Sequence, residues 1–212
     1  TASSLTVKAG GAVTQSAAAT VKGTTSVDAT GFDVALTNAG NNFSVVDAKA
    51  KDLSIADATG GVFLRNLTAT GNTTVTSTGG SITQGDDVGT LMLSGTTTLN
   101  AKNGDAAAAV TLNGKDNTLT GAVTATGSAV TLVSKGALNA AVTATEATLS
   151  AAGSLAVSGT TTKGLTTTTT GENSTTTFGN TTVGADLAVT STGKVAQAAG
   201  TEIGRASCRE RV

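Results

Sequence analysis

The sequence predicts an all-β chain wound as a parallel β-helix, a solenoid with coils of about 17–19 residues. Three observations predict it. Aliphatic residues alternate with Thr and Ser in short runs such as Leu67-Thr68-Ala69-Thr70 and Thr73-Thr74-Val75-Thr76, the period of a strand with one buried face. Strand–turn units recur without strict periodicity: LTVKAGGAVTQ (5–15) is echoed by TSTGGSITQ (76–84) and by LAVTSTGKVAQ (187–197). A unit of this size needs a neighbour to bury its face, so repetition implies stacking. The composition agrees, with roughly a fifth of the residues Thr, 27 Gly, four Phe, and no Pro, Trp, Tyr or His. A wide globular core is filled by aromatic side chains; a narrow one lined by Val, Leu, Ile and Ala needs few.

Charge narrows the classes further. Thirteen Lys and Arg against fourteen Asp and Glu give a net charge of −1. No basic footprint for nucleic acid is present, and no apolar run approaches the about 20 residues of a membrane span. Disorder of the whole chain is opposed by the low net charge and by the regular β-branched aliphatics. Thr1 stands where an initiator Met would, and no signal-peptide pattern follows, so an interior segment of a longer protein is expected.

Along the chain, residues 5–37 read as short strands at Leu5-Val7, Ala12-Thr14, Ala19-Lys22, Thr24-Val27 and Asp33-Thr37. Gly and β-branched residues disfavour helix there. Phe32 and Phe43 flank a loop, Asn38-Ala39-Gly40-Asn41-Asn42, whose residue types suit a solenoid corner. In residues 43–65 alternation places Asp47, Lys49 and Lys51 on one side and Val46, Ala48 and Ala50 on the other. A solvated strand face with weak ion pairs accounts for that charge. Val62-Phe63-Leu64, the most apolar triplet, reads as a core-facing bend.

GTTSVDA (23–29) returns as GTTTLNA (95–101), and Val34-Ala35-Leu36-Thr37-Asn38 as Val110-Thr111-Leu112-Asn113, so a unit of roughly 70 residues is duplicated. The shortest period lies later. Val123 and Val142 are nineteen positions apart, and Leu138 and Leu155 seventeen, which predicts that each pair is stacked inside. Gly136 and Gly153 then share a corner, and each coil holds three strands and three corners. Residues 163–178, KGLTTTTTGENSTTTF, lack inward aliphatics between Leu165 and Phe178 and predict an irregular coil. The texture stops at Thr201. Residues 202–212, EIGRASCRERV, carry the single Cys and look like translated sequencing adapter, so residues 1–201 are read as the β-helix segment and 202–212 as a non-native tail.

A search for chemistry yields no candidate catalytic, cofactor-binding or metal-ligating residue. Without His, and with Cys208 confined to that tail, His-based triads, zinc and thiol sites have no residues to use. Asp86-Asp87 is the one adjacent carboxylate pair and reads as a polar corner. The T-x-T units Thr68/Thr70, Thr124/Thr126 and Thr143/Thr145 raise a water-ordering array, but they do not recur in every coil; hydroxyl ladders between coils explain them.

GGAVTQ with GGSITQ, GTTSVDA with GTTTLNA, and DVALTNAGNNFS together resemble the degenerate repeats of filamentous-haemagglutinin-like exoproteins and autotransporter passengers of Gram-negative bacteria, over residues 4–200. The resemblance implies a right-handed parallel β-helix, exported through an outer-membrane transporter and displayed at the cell surface as an adhesive stalk without enzymatic activity. It implies host or neighbouring-cell surfaces, glycans among them, as partners, with no nucleic acid, no cofactor and no insertion of this segment into a membrane. Two alternatives belong to other classes. A carbohydrate-binding or carbohydrate-active β-helix needs a groove, and convergence of Asp47, Asp52 and Asp57 in one would favour it; an ice-binding module needs a flat face of Thr.

Overall fold

The computed structural model describes residues 1–84, 89–199 and 203–205. Every regular element among them is a strand, and the strands stack in parallel as a β-solenoid of about nine turns. One sheet of twelve strands runs from Leu5–Lys8 to Leu187–Ser191, and a second of thirteen from Val13–Thr14 to Lys194–Gln197. Alternation drives the burial. In Ala129–Ser134, for example, Val130 and Leu132 are buried while Thr131 and Val133 stay half-buried on the outside.

Stacking in register turns that alternation into internal columns. Val62, Ile82, Val110, Val130, Ala147 and Leu165 lie one above the next, all buried. Across the interior, Ile55, Val75, Leu99, Ala125 and Val142 do the same. Strands buried in this way need no aromatic filling, and only Phe43 and Phe178 among the four Phe are fully inside.

Leu138 pairs with Leu155, and the Gly153 N–H bonds the Gly136 carbonyl, as the seventeen-residue spacing predicts. The nineteen-residue pairing is corrected. Val142 sits on Ala125 and Val123 on Ala140, so both valines are inside but two positions out of line. Thr126 pairs with Thr143 and Ala129 with Glu146, so the turns between them are equal in length, and the two VTAT runs match in residue type without sharing a register. A coil of 17–19 residues holds around this stretch: partners are 17 apart at Val130 and Ala147 and 18 at Ala147 and Leu165. Elsewhere coils lengthen, to 24 residues at Leu67 and Leu91 and 28 at Ile82 and Val110.

Each coil contributes to two sheets rather than three. The expected third face forms no separate sheet, because long strands that shift register midway carry it into the other two. Thr20–Asp28 shifts against Asn42–Ala50 between Val21 and Thr24, and Asn42–Ala50 shifts against Val62–Ala69 between Val46 and Ala48. An extra residue bends a strand without ending it.

Two further expectations are corrected. Val62-Phe63-Leu64 is no bend; it opens the strand Val62–Ala69, with Val62 and Leu64 buried and Phe63 facing out. Residues 163–178 are not irregular either, since Leu165–Thr169 pairs with Glu146–Ala151 on one side and Leu187–Ser191 on the other. Thr167, Thr169 and Thr176 occupy inward positions in place of aliphatics. Thr has the shape of Val, and its hydroxyl is tolerated inside when bonded. Thr169 Oγ1 lies 3.1 Å from Thr176 Oγ1 and 2.8 Å from Ser191 Oγ.

Corners are built from glycine and short amides. The Gly95 N–H bonds the Gly71 carbonyl at 3.2 Å, and a side chain on Gly95 or Gly121 would strike the glycine backbone one coil below. Beside them Asp52 Oδ1 accepts the Asn72 N–H at 2.6 Å, and Asn72 Oδ1 accepts the Thr96 N–H and hydroxyl at 3.1 and 2.7 Å. Of residues 202–212, Ile203–Arg205 adds a strand alongside Thr181–Val183; the rest lie outside the described residues.

Candidate binding face

The outer surface of the twelve-stranded sheet carries the features that set this molecule apart from a bare stack. On Asn42–Ala50 and Val62–Ala69, alternation sends Asp47, Lys49, Phe63, Arg65 and Thr68 outward. The charge separation read from 43–51 holds, with Val46, Ala48 and Ala50 buried behind the charged row. Arg65 Nε donates to Asp47 Oδ1 at 3.0 Å and its second nitrogen engages Oδ2, a two-pronged pair that holds the guanidinium more firmly protonated than usual. Asp47 Oδ1 also accepts the Asn66 N–H at 3.1 Å.

Two grooves flank this pair. The larger, about 710 Å³, lies over Phe63 and is bounded by two glycine pairs, Gly60-Gly61 and Gly79-Gly80. The Gly60 N–H bonds the Gly79 carbonyl at 3.1 Å, and a side chain on Gly61 would strike the Ser81 backbone, so the two corners stack closer than other residues permit. On one side Gly79–Gly80 pairs antiparallel with the end of Thr97–Asn103, which folds back on Ala106–Ala107. The smaller groove, about 490 Å³, lies over the exposed Met92 and is edged by Asp28, Asp47 and Lys49. The Thr30 hydroxyl and N–H hold the Asp28 carboxyl below the usual carboxylate range.

The three aspartates that convergence would have made suggestive stand apart. Asp47 is on the outer face paired to Arg65, and Asp52 is at a different corner, 3.5 Å from Lys51 Nζ. Lys51 also lies 3.6 Å from Asp33, and these two carboxylates, Asp33 foremost, raise its ammonium pKa. Asp57 points inward and is 2% exposed. Its Oδ1 accepts the Phe43 N–H at 2.7 Å and its Oδ2 the Thr59 N–H at 3.3 Å, which fixes the turn into Gly60-Gly61 beneath the larger groove. Burial raises its pKa, opposed by those backbone N–H groups. The Asp86-Asp87 pair lies outside the described residues. Among the described residues no group of three or more Asp, Glu, His or Cys is placed to hold a metal ion.

Inside, the duplication has a structural counterpart that sequence comparison alone does not reveal. Gln15 Nε2 donates to Asn41 Oδ1 at 2.7 Å and Asn41 Nδ2 to Gln15 Oε1 at 2.8 Å. Gln84 and Asn117 repeat this at 2.9 and 2.6 Å. Each Asn oxygen accepts one more N–H, from Ala19 at 2.9 Å or Leu91 at 3.0 Å. Asn41 and Asn117 are fully buried. Gln15 and Gln84 close GGAVTQ and GGSITQ, so the repeated Gln was the available signal; what it bonds to lies 26 and 33 residues downstream.

A family described as repeats of unknown function (DUF5649) matches residues 1–48 and 50–126. Each matched segment contains one complete Gln–Asn pair. No curated protein and no solved structure matches the chain significantly. With more than half of its length matched, the chain belongs to this repeat family.

Proposed function

We propose that this chain is a stalk segment of a secreted or surface-displayed bacterial exoprotein, carrying adhesive surfaces rather than catalytic chemistry. The observation that supports this reading is the stack of about nine turns whose internal columns continue through the lengthened coils. Each turn adds about 4.8 Å, so these turns contribute roughly 40 Å of reach. A rod of this kind gains length by adding coils, because each coil contacts only its neighbours. The texture of GGAVTQ, GGSITQ and DVALTNAGNNFS, which resembles filamentous-haemagglutinin-like and autotransporter repeats, supports display outside a Gram-negative cell. The outer grooves on an otherwise regular rod suit attachment to another surface.

The test is protease shaving of intact cells that make the parent protein, with an antibody raised against residues 1–199. Loss of the epitope from whole cells, with a cytoplasmic marker untouched, is the expected result. An epitope protected until the cells are lysed contradicts the proposal.

A further inference from the structure

We infer that the groove over Phe63 is a binding site for a neutral oligosaccharide. It goes beyond the stalk reading and stands apart from it, since a binding measurement on the isolated chain is indifferent to where the protein resides. The first argument is how the groove is made. The coil between Ile82 and Val110 is 28 residues long against 20 for the next, and part of the added chain forms the hairpin that walls the groove. Gly79–Gly80 is drawn into that wall as an antiparallel strand, so the solenoid corner and the hairpin form one surface.

The second argument is the lining. Phe63 is outward-facing and half-buried at the base, in a column where later coils place Thr83, Thr111 and Thr131. Around it stand the amides of Asn42 and Asn103 and the hydroxyls of Ser44, Ser81 and Thr83. Amides and hydroxyls both donate and accept, which matches a ligand rich in hydroxyl groups, each itself donor and acceptor. The aromatic ring offers an apolar face for the C–H face of a pyranose. The glycine pairs keep the rim free of side chains.

The third argument is charge. Among the described residues none that lines this groove is ionisable, whereas the neighbouring groove over Met92 has Asp28, Asp47 and Lys49 at its edge. A charged ligand would give up solvation here without a counter-charge. A neutral saccharide loses nothing of that kind, and water can bridge the hydroxyls it does not reach directly.

The experiment is a printed array of neutral oligosaccharides, with heparin fragments alongside, followed by calorimetric titration of the full chain with the best neutral tetrasaccharide. The expected result is binding that changes little between low and high salt. Phe63→Ala and Asn103→Ala should each weaken it by about tenfold or more, while Met92→Ala leaves it unchanged. Should Phe63→Ala fail to fold, Ser44→Trp decides, because Ser44 is exposed and the indole would fill the groove. Absence of binding to every neutral glycan, binding to heparin alone with steep salt dependence, or binding that survives Asn103→Ala and Ser44→Trp would each overturn the inference.

Discussion

Gln84 and Asn117 grip each other through two amide hydrogen bonds inside the solenoid, and Gln15 and Asn41 do the same one repeat earlier. An amide pair of this kind satisfies one donor and one acceptor on each side chain, and the N–H bonds from Ala19 and Leu91 tie it to the backbone. Removing one partner strands the other in the interior. Asn117→Leu is therefore expected to cost about 1–3 kcal/mol in chemical denaturation, because Gln84 Nε2 and the Leu91 N–H both lose their acceptor. The double substitution with Gln84→Leu should cost less than the sum of the two single ones, and strict additivity would show that the pair does not act as a unit.

Much of this was legible in the sequence, and the reason is the period of two. Wherever an aliphatic alternates with Thr or Ser, its facing follows from strand geometry, as at Val130 and Leu132. Thr167 and Thr169 show where that reading fails: inward positions filled by Thr look the same as outward ones. The repeat hid more. GGAVTQ ends in the thirteen-stranded sheet, at Val13–Thr14, whereas GGSITQ ends in the twelve-stranded sheet, at Ile82–Gln84. The second copy is rotated to a different face, because the duplicated unit is not a whole number of coils. The groove over Phe63 was illegible for a related reason. Its wall comes from residues 97–107 and its base from Phe63, and only stacking across coils brings them together.

Val142 and Thr143 test the facing directly. Val142 is 2% exposed between Ala125 and Gly159, while Thr143 points outward between Thr126 and Thr160. Val142→Asp places an unpaired carboxylate in the interior and should cost upward of about 4 kcal/mol, if the chain folds at all. Thr143→Asp should stay within about 0.5 kcal/mol of the parent in the same denaturation assay.

Two glycines separate backbone need from mere position. Gly159 has φ near +111°, and a methyl group there would collide with the Val142 carbonyl, at the point where the strand shifts register. Gly136 has open space around it. Gly159→Ala should lower stability by at least about 1 kcal/mol. Gly136→Ala should be neutral or slightly stabilising, since it narrows the unfolded ensemble. Thermal melts of the two variants side by side decide this.

Asp57 gives the chain a pH signature. Burial raises its pKa in the folded state, so folded protein holds the proton more tightly than unfolded chain does. Its contribution to stability is fully present below the ordinary Asp value of 3.8 and is lost as pH rises through the raised folded value. Asp57→Asn keeps an oxygen for the Phe43 N–H but cannot titrate. Denaturation midpoints of the parent relative to Asp57→Asn should therefore fall as pH rises from the acid side towards neutrality; parallel profiles would remove Asp57 as the cause.

The parallel stack itself is tested most directly by distances along one outward column. Thr76, Asn100, Thr126, Thr143, Thr160 and Thr182 are successive partners in the thirteen-stranded sheet. With Cys208 replaced by Ser, spin labels on paired cysteines introduced at Thr182 and either Thr126 or Thr76 report separations of three and five coils by double electron–electron resonance. The fold predicts backbone spacings of about 14 Å and about 24 Å, each as a single narrow population. Equal separations for the two pairs, or a broad distribution for the longer one, would contradict a continuous parallel solenoid.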